Sequence, residues 1–329
     1  MRANTAIARR LAGAQSPLRG VLRISELAVG AAVVAAFVVF MALDPSMAEP
    51  ANVMRILARS SSVGFAVLGM TVLLLAGEVD LTVGIAAYYA TITFTQLGGL
   101  GWPEVPSLLG ALLVMLLIGW LNSLLVLEVR LPSFLATLCT QFIFGGLLNF
   151  IPFDWGGEGV RVSFAWLGAS SPLPGVPWIF IVFAAVVLLG DQVIRRTRLG
   201  AVLYATGANP RAAQIVGIDT DRVKMLCFMF ASVCGGLASL AFSATIGTSL
   251  VADFPVLWVI AIALIGGASL GGGVGSLLGG LLGTLLLMVI RSGLGATNLG
   301  SNAQAVMVSG ILIAAVLLET ARRKGKITR

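Results

Sequence analysis

Runs of about 17 to 25 apolar residues, long enough to cross a hydrocarbon core of about 30 Å as a helix, follow one another along this sequence. In lipid, a backbone has to satisfy its own hydrogen bonds, so such runs fold as helices or not at all. They fall at 26–43, 60–76, 82–100, 107–127, 133–151, 178–193, 223–243, 256–270, 274–293 and 302–319. The expected fold is therefore all-α: a polytopic membrane protein of about ten transmembrane helices. Residues 1–25 form a cytoplasmic segment, 26–319 a single transmembrane domain, and 320–329 a basic cytoplasmic tail. Only 11% of the 329 residues are charged and 58% are hydrophobic, whereas about a quarter are charged in a soluble domain.

The basic residues orient the bundle. With both termini inside, the inner segments hold all but four of the 21 Lys and Arg, and the outer ones keep only Arg55, Arg59, Arg161 and Arg291. That is a strong positive-inside bias, and it supports an even number of spans. Ser46-Met47-Ala48 resembles a signal-peptide cleavage site. The apolar run before it is too long for a signal core, so it is expected to stay as the first helix.

Composition excludes several chemistries. The chain has no histidine, which removes the commonest metal ligand and general base. Cys139, Cys227 and Cys234 sit in apolar runs without CxxC spacing, so they read as packing residues rather than a disulfide or metal framework. The net charge of +7 lies in short segments between spans, as loops and not as a nucleic-acid surface. No Walker pattern is present, so the chain has no P-loop of its own.

Along the spans a few polar groups stand out. Glu78 and Asp80 interrupt GMTVLLLAGEVDLTVG. Acids at bilayer depth usually face a cavity or the bundle interior, while a surface turn would leave them in water; both readings stand. Asn122, Ser123, Thr137, Thr140 and Gln141 recur on the fourth and fifth spans, with Thr137, Thr140 and Gln141 on one helical face. They either line a pathway or bond between helices. Residues 152–177 form the longest outer loop, whose Trp155, Trp166 and Trp178 suit an aromatic belt or a docking surface. Gly267, Gly271, Gly275, Gly279 and Gly283 recur every four residues, which makes a smooth packing face wherever that stretch is helical.

The one long polar interruption is 195–224. Inside it, Asn209 is a favoured N-cap, Pro210 suits the first helical position and Gly217 permits a left-handed stop. Between them Arg211, Ala212, Ala213, Gln214, Ile215 and Val216 make a short helix with one small apolar side. Two turns are marginal alone in water, so the helix is expected to lie in a partner's groove, on the membrane or against its own loops.

Taken together, GMTVLLLAGEVDLTVG, GWLNSLLVLEVRLPSFLATL, LGAVLYATGANPRAAQIVGIDTDRVK and LIGGASLGGGVGSLLGGLLG with the following RSGL resemble the permeases of ribose-, xylose- and arabinose-type ATP-binding-cassette importers, relatives of the branched-chain amino-acid permeases. The resemblance runs from about Asn52 onward. It implies a noncatalytic translocation subunit in the bacterial inner membrane that carries a monosaccharide or small polyol. Its implied partners are a second permease, like or unlike itself, a periplasmic solute-binding protein and a cytoplasmic ATPase that binds the ATP and Mg; it implies no cofactor in this chain.

Asn209, Pro210, Arg211, Ala212, Ala213 and Gly217 would then be the coupling helix. Glu78, Asp80, Asn122, Thr137 and Gln141 are candidates for lining or gating. Three positions depart from the pattern: Arg211 stands in place of an acid, Glu78 in place of a second glycine, and Gly145 in place of a frequent basic residue. The competing expectation is a self-powered secondary transporter coupled to a cation through Glu78 or Asp80.

Overall fold

The computed structural model describes residues 26–151, 162–248, 255–296, 306, 309, 310 and 313. In chain order its helices are α1 (Glu26–Leu43), α2 (Pro50–Leu75), α3 (Val83–Gly99), α4 (Glu104–Leu127), α5 (Ser133–Leu147), α6 (Trp166–Ala169), α7 (Trp178–Arg196), α8 (Arg198–Ala208), α9 (Pro210–Ile215), α10 (Thr220–Ile246), α11 (Val256–Ile265) and α12 (Leu277–Ala296). The described residues form no β-sheet. Seven of these helices are long and apolar enough to cross a membrane: α1, α2, α4, α5 with the 3-10 turn that continues it, α7, α10 and α12. Of the expected tenth span only the last four described positions are seen, all helical. Residues 1–25, Trp155 and the tail 320–329 lie outside the described residues.

The bundle is built around α2, whose most apolar stretch is 78% buried, while that of α1 is 6% buried. A helix apolar all round belongs in the middle of a bundle. Small residues bring α10 against it: a Cβ added at Gly69 would lie 2.7 Å from Cys234 Cβ and 2.9 Å from Ala231 Cα. Close backbone approach of this kind is how helices pack where lipid supplies no hydrophobic drive. α10 also packs along α3 and α4. Its Cys227 and Cys234 are buried packing residues, but Cys139 on α5 is exposed.

Backbone chemistry overrides hydropathy at several expected boundaries. The second span starts at Pro50 rather than 60, because Pro at the first position opens a helix that runs unbroken through Arg59. Ser60 and Ser61 then return their hydroxyls to Ile56 O (2.7 Å) and Leu57 O (2.9 Å), so the polar run does not break it. The expected span at 256–270 is a helix of only 10 residues, about 15 Å long. It stops at Gly267, whose φ is +94°.

The glycine register is corrected for the same reason. Gly267, Gly271 and Gly275 lie in the connection between α11 and α12, not on a helix face. Gly279 and Gly283 are on α12, where an added Cβ would meet Gly266 O at 1.9 Å and Ile262 O at 2.7 Å. The 195–224 stretch is likewise no open loop: α7 ends in it, α8 and α9 fill it, and α10 begins in it.

Candidate functional site

α9 is capped as its residues require. Asn209 Oδ1 accepts from Ala212 N at 3.0 Å, Pro210 takes the first position, and Gly217 at φ +85° ends the turn. Nothing lies within 4 Å of a Cβ added at Gly217, so glycine is there for its backbone and not for room. The helix stands on Ala213, which is buried, and on Gln214, whose Nε2 donates to Thr220 Oγ1 at 2.8 Å. Asp219 caps α10 by accepting from Arg222 N at 3.1 Å. The small apolar side is therefore divided: Ala213 faces inward, whereas Ala212 is exposed, Ile215 is 86% exposed and Val216 66% exposed. Arg211 is also on the open side.

Directly behind α9, three backbones cross. Gly207 near the end of α8 sits against the end of α2 and the α11–α12 connection. A Cβ at Gly207 would lie 1.9 Å from Leu75 O and 2.6 Å from Gly273 N, and one at Gly272 would lie 2.5 Å from Gly207 O and 2.8 Å from Gly77 Cα. Gly273 N donates to Leu75 O at 3.0 Å, which welds the crossing. α2 and α11 end in the same way there. Gly77 N and Glu78 N donate to Leu74 O and Leu73 O, as Gly267 N and Ala268 N donate to Leu264 O and Ala263 O. This is the Schellman stop with a left-handed glycine.

The connection after α2 is buried, which settles where its acids sit. Glu78 is buried and pairs with Lys224 Nζ at 2.5 Å, tying this connection to the first turn of α10. Asp80 is fully buried and accepts from Thr82 N (2.7 Å) and Thr82 Oγ1 (2.6 Å). The chain of donors continues outward: Asn122 Nδ2 gives to Thr82 Oγ1, and Thr140 Oγ1 gives to Asn122 Oδ1, each at 2.7 Å. Thr137 Oγ1 accepts from Leu81 N at 3.1 Å. The surface-turn reading is overturned: a break does separate α2 from α3, but it is held inside the protein by α4, α5 and α10. Gln141 does not join this cluster, and its Oε1 makes no hydrogen bond among the described residues.

A second polar knot was not foreseen. Arg195, on the last turn of α7, pairs with both Glu26 at the start of α1 and Asp191 one turn back. Glu26 also accepts from Ser276 Oγ at 2.6 Å, and Asp191 Oδ1 accepts from Leu277 N at 3.2 Å, at the opening of α12. Tyr204 on α8 donates to Gly275 O at 2.7 Å. Burial first, and the Asp191 carboxylate next, push the Tyr204 phenol up to about 12, so it stays protonated as that donor. The i, i+4 spacing of Asp191 and Arg195 was the one signal available in the sequence.

The glycine crossing, the Glu78–Lys224 pair and the Arg195 knot tie α8 and its neighbours to the ends of α1, α2, α7, α10 and α12, while the Asp80 chain ties the α2–α3 connection to α4 and α5. What the arrangement offers is close-packed backbone, with α8, which leads directly into α9, set against the end of α2 and the α11–α12 connection.

The protein-family model described as "Branched-chain amino acid transport system / permease component" matches residues 52–317. The chain is 31% identical over 283 residues to the ribose import permease protein RbsC of Bacillus subtilis, covering 84% of this chain and 87% of that one. It is 31% identical over 286 residues to the xylose/arabinose import permease protein XylH of Sulfolobus acidocaldarius, covering 83% and 78%. To the ribose import permease protein RbsC of Escherichia coli K12 it is 28% identical over 295 residues, covering 85% and 89%. No solved structure matches it significantly. A match over residues 52–317, most of the chain, makes it a member of the branched-chain amino acid transport system / permease component family.

Proposed function

We propose that this chain is the translocation subunit of an ATP-binding-cassette importer for a monosaccharide or a similar small polyol, in the bacterial inner membrane. The observation that carries the substrate class is the likeness, over more than four fifths of the chain, to proteins named as ribose and xylose/arabinose import permeases. A ten-span bundle with both termini cytoplasmic counts α3, α11 and 302–319 with the seven long helices. The charge bias supports a cytoplasmic position for α9.

In this reading a separate ATPase binds the ATP and Mg, and the exposed residues Arg211, Ala212, Ile215 and Val216 meet it. Asn209, Pro210 and Gly217 give the helix its shape, and Ala213 seats it on the permease. The stroke passes through the Gly207 crossing and rocks helices against a second permease around a central cavity, as alternating access requires. Glu78, Asp80, Asn122 and Thr137 act in gating, by fixing or releasing the connection between α2 and α3, while Gln141, outside that cluster, lines the pathway. A periplasmic binding protein delivers the solute.

Competition tests the substrate class. In vesicles holding the complete importer, labelled ribose or xylose should be taken up with ATP, and unlabelled pentose, not leucine, should compete. Leucine uptake without pentose uptake would overturn the sugar assignment.

A further inference from the structure

Asp80 is fully buried, and both of its hydrogen bonds, from Thr82 N and Thr82 Oγ1, end on the same oxygen, Oδ1. The other oxygen, Oδ2, is out of reach of solvent and has no hydrogen-bond partner among the described residues. No cation stands opposite it. None of the four ion pairs among the described residues includes Asp80, and Lys224 is committed to Glu78.

The elements around the α2–α3 connection bring no other charge to it. α3 and α5 contain no Asp, Glu, Lys or Arg. The phenols of α3, Tyr88 and Tyr89, stand more than a turn into that helix, and Tyr89 donates to Phe144 O at 2.9 Å. α4 has only Glu104, at its far end, where it accepts from Ser163 N; Glu128 and Arg130, beyond its near end, are exposed. α2 has only Arg55 and Arg59, at its opposite end. On α10, Arg222 pairs with Asp219, Asp221 is exposed and Cys227 is a buried thiol.

A buried carboxylate with a bare oxygen is far more costly than a buried neutral acid, and such a group neutralises by taking a proton. The two Thr82 donors and the positive end of α3 offset part of the charge, but both donors serve one oxygen. A bound metal ion fits poorly. A hard cation takes about six or more oxygens, and those nearby are engaged. Thr82 Oγ1 donates to Asp80 and accepts from Asn122, Asn122 Oδ1 accepts from Thr140, and Thr137 Oγ1 accepts from Leu81 N while donating to Ser133 O.

We propose that Asp80 is a proton-binding site: in this arrangement Oδ2 carries a proton taken from the aqueous medium, an O–H bond forms, and the carboxylate becomes a neutral carboxyl. The proton is held rather than transported. Exposure to water removes the reason for it, so any opening of the α2–α3 connection releases it. The site is independent of which solute the chain carries and of what drives transport.

The test is infrared spectroscopy of the full-length chain at neutral pH in a maltoside detergent, which has no carbonyl of its own. A protonated carboxyl gives a C=O stretch separate from the carboxylate and amide bands and sensitive to exchange into D2O. Such a band should be present, lost in Asp80→Asn and kept in Glu78→Gln. Its absence from the unsubstituted chain overturns the proposal whatever the variants do, and so does a band undiminished in Asp80→Asn.

Unfolding in mixed micelles is the second readout. A carboxyl protonated in the folded chain and ionised in the unfolded one stabilises fully below the unfolded value of about 4. Above it, the folding constant falls about tenfold per pH unit until the folded group ionises as well. Asp80→Asn should remove that slope, and an equal slope in both chains overturns the assignment. Stabilisation by sodium that Asp80→Asn abolishes, with no C=O band, also overturns it and identifies a cation site.

Discussion

Replacing Gly207 with alanine tests the crossing behind α9. The new Cβ would lie 1.9 Å from Leu75 O, 2.6 Å from Gly273 N and 2.9 Å from Leu75 C, where ordinary contact begins at 3.4 Å. All three atoms are backbone, so no side chain can swing aside, and the strands of chain must part by about 1.5 Å, the gap between 1.9 and 3.4 Å. Parting them breaks the 3.0 Å bond from Gly273 N to Leu75 O. Overpacking costs about 1–3 kcal/mol and an unmade buried hydrogen bond about 1–3 kcal/mol, together about 2–6 kcal/mol. Gly217→Ala is the control, since it meets no neighbour and carries only the left-handed strain of about 1–2 kcal/mol. Thermal unfolding of both variants should rank them, Gly207→Ala lower by about 5 °C at the middle of those ranges. ATP-driven uptake by Gly207→Ala should fall further than its loss of folded protein. A Gly207→Ala chain that melts and transports like the unsubstituted one would refute the claim that this crossing is closed and carries the stroke.

Other outcomes follow from the polar contacts. Lys224→Met strands Glu78 in a buried site and should destabilise by about 3–5 kcal/mol; adding Glu78→Gln should restore much of it, as a double-mutant cycle in thermal unfolding would show. Asn122→Leu removes one donor and one acceptor from the Thr140–Asn122–Thr82–Asp80 chain and should cost about 2 kcal/mol or more, against a smaller loss for Thr140→Val, measured in the same way. Ala213→Arg puts a charge where the short helix is seated; ATP hydrolysis by the complex should continue while uptake is lost, with normal protein in the membrane. Equal loss of both activities would place the defect in folding rather than coupling.

Hydropathy and charge carried much of the architecture in the sequence, because in lipid nearly every span must be a helix. The α9 helix was legible in its start and stop, since Asn209, Pro210 and Gly217 each have a local backbone reason to stand where they do, and it ends at Ile215, one residue before the expected Val216. The glycines at 267–283 were not, because a four-residue period says nothing about whether the backbone is helical. Gly267 and Gly275 instead carry the positive φ of a connection. Glu78 and Asp80 were visible as anomalies, but their partners Lys224 and Thr82 follow only from how α2 ends and α10 begins. The link from Arg195 to Glu26 joins residues far apart in the chain, and no local pattern encodes it. The charge of 195–224 counts toward topology, yet Arg195 also fastens α1 and α7 together.

The central claim is that this chain moves solute only when another subunit hydrolyses ATP. Vesicles containing the purified chain alone, given labelled pentose and an imposed proton or sodium gradient, should accumulate nothing above leak, while vesicles with the ATPase, the partner permease and the binding protein should accumulate it on addition of ATP and Mg. Gradient-driven uptake by the chain alone, abolished by Asp80→Asn, would contradict the account and establish a self-powered transporter.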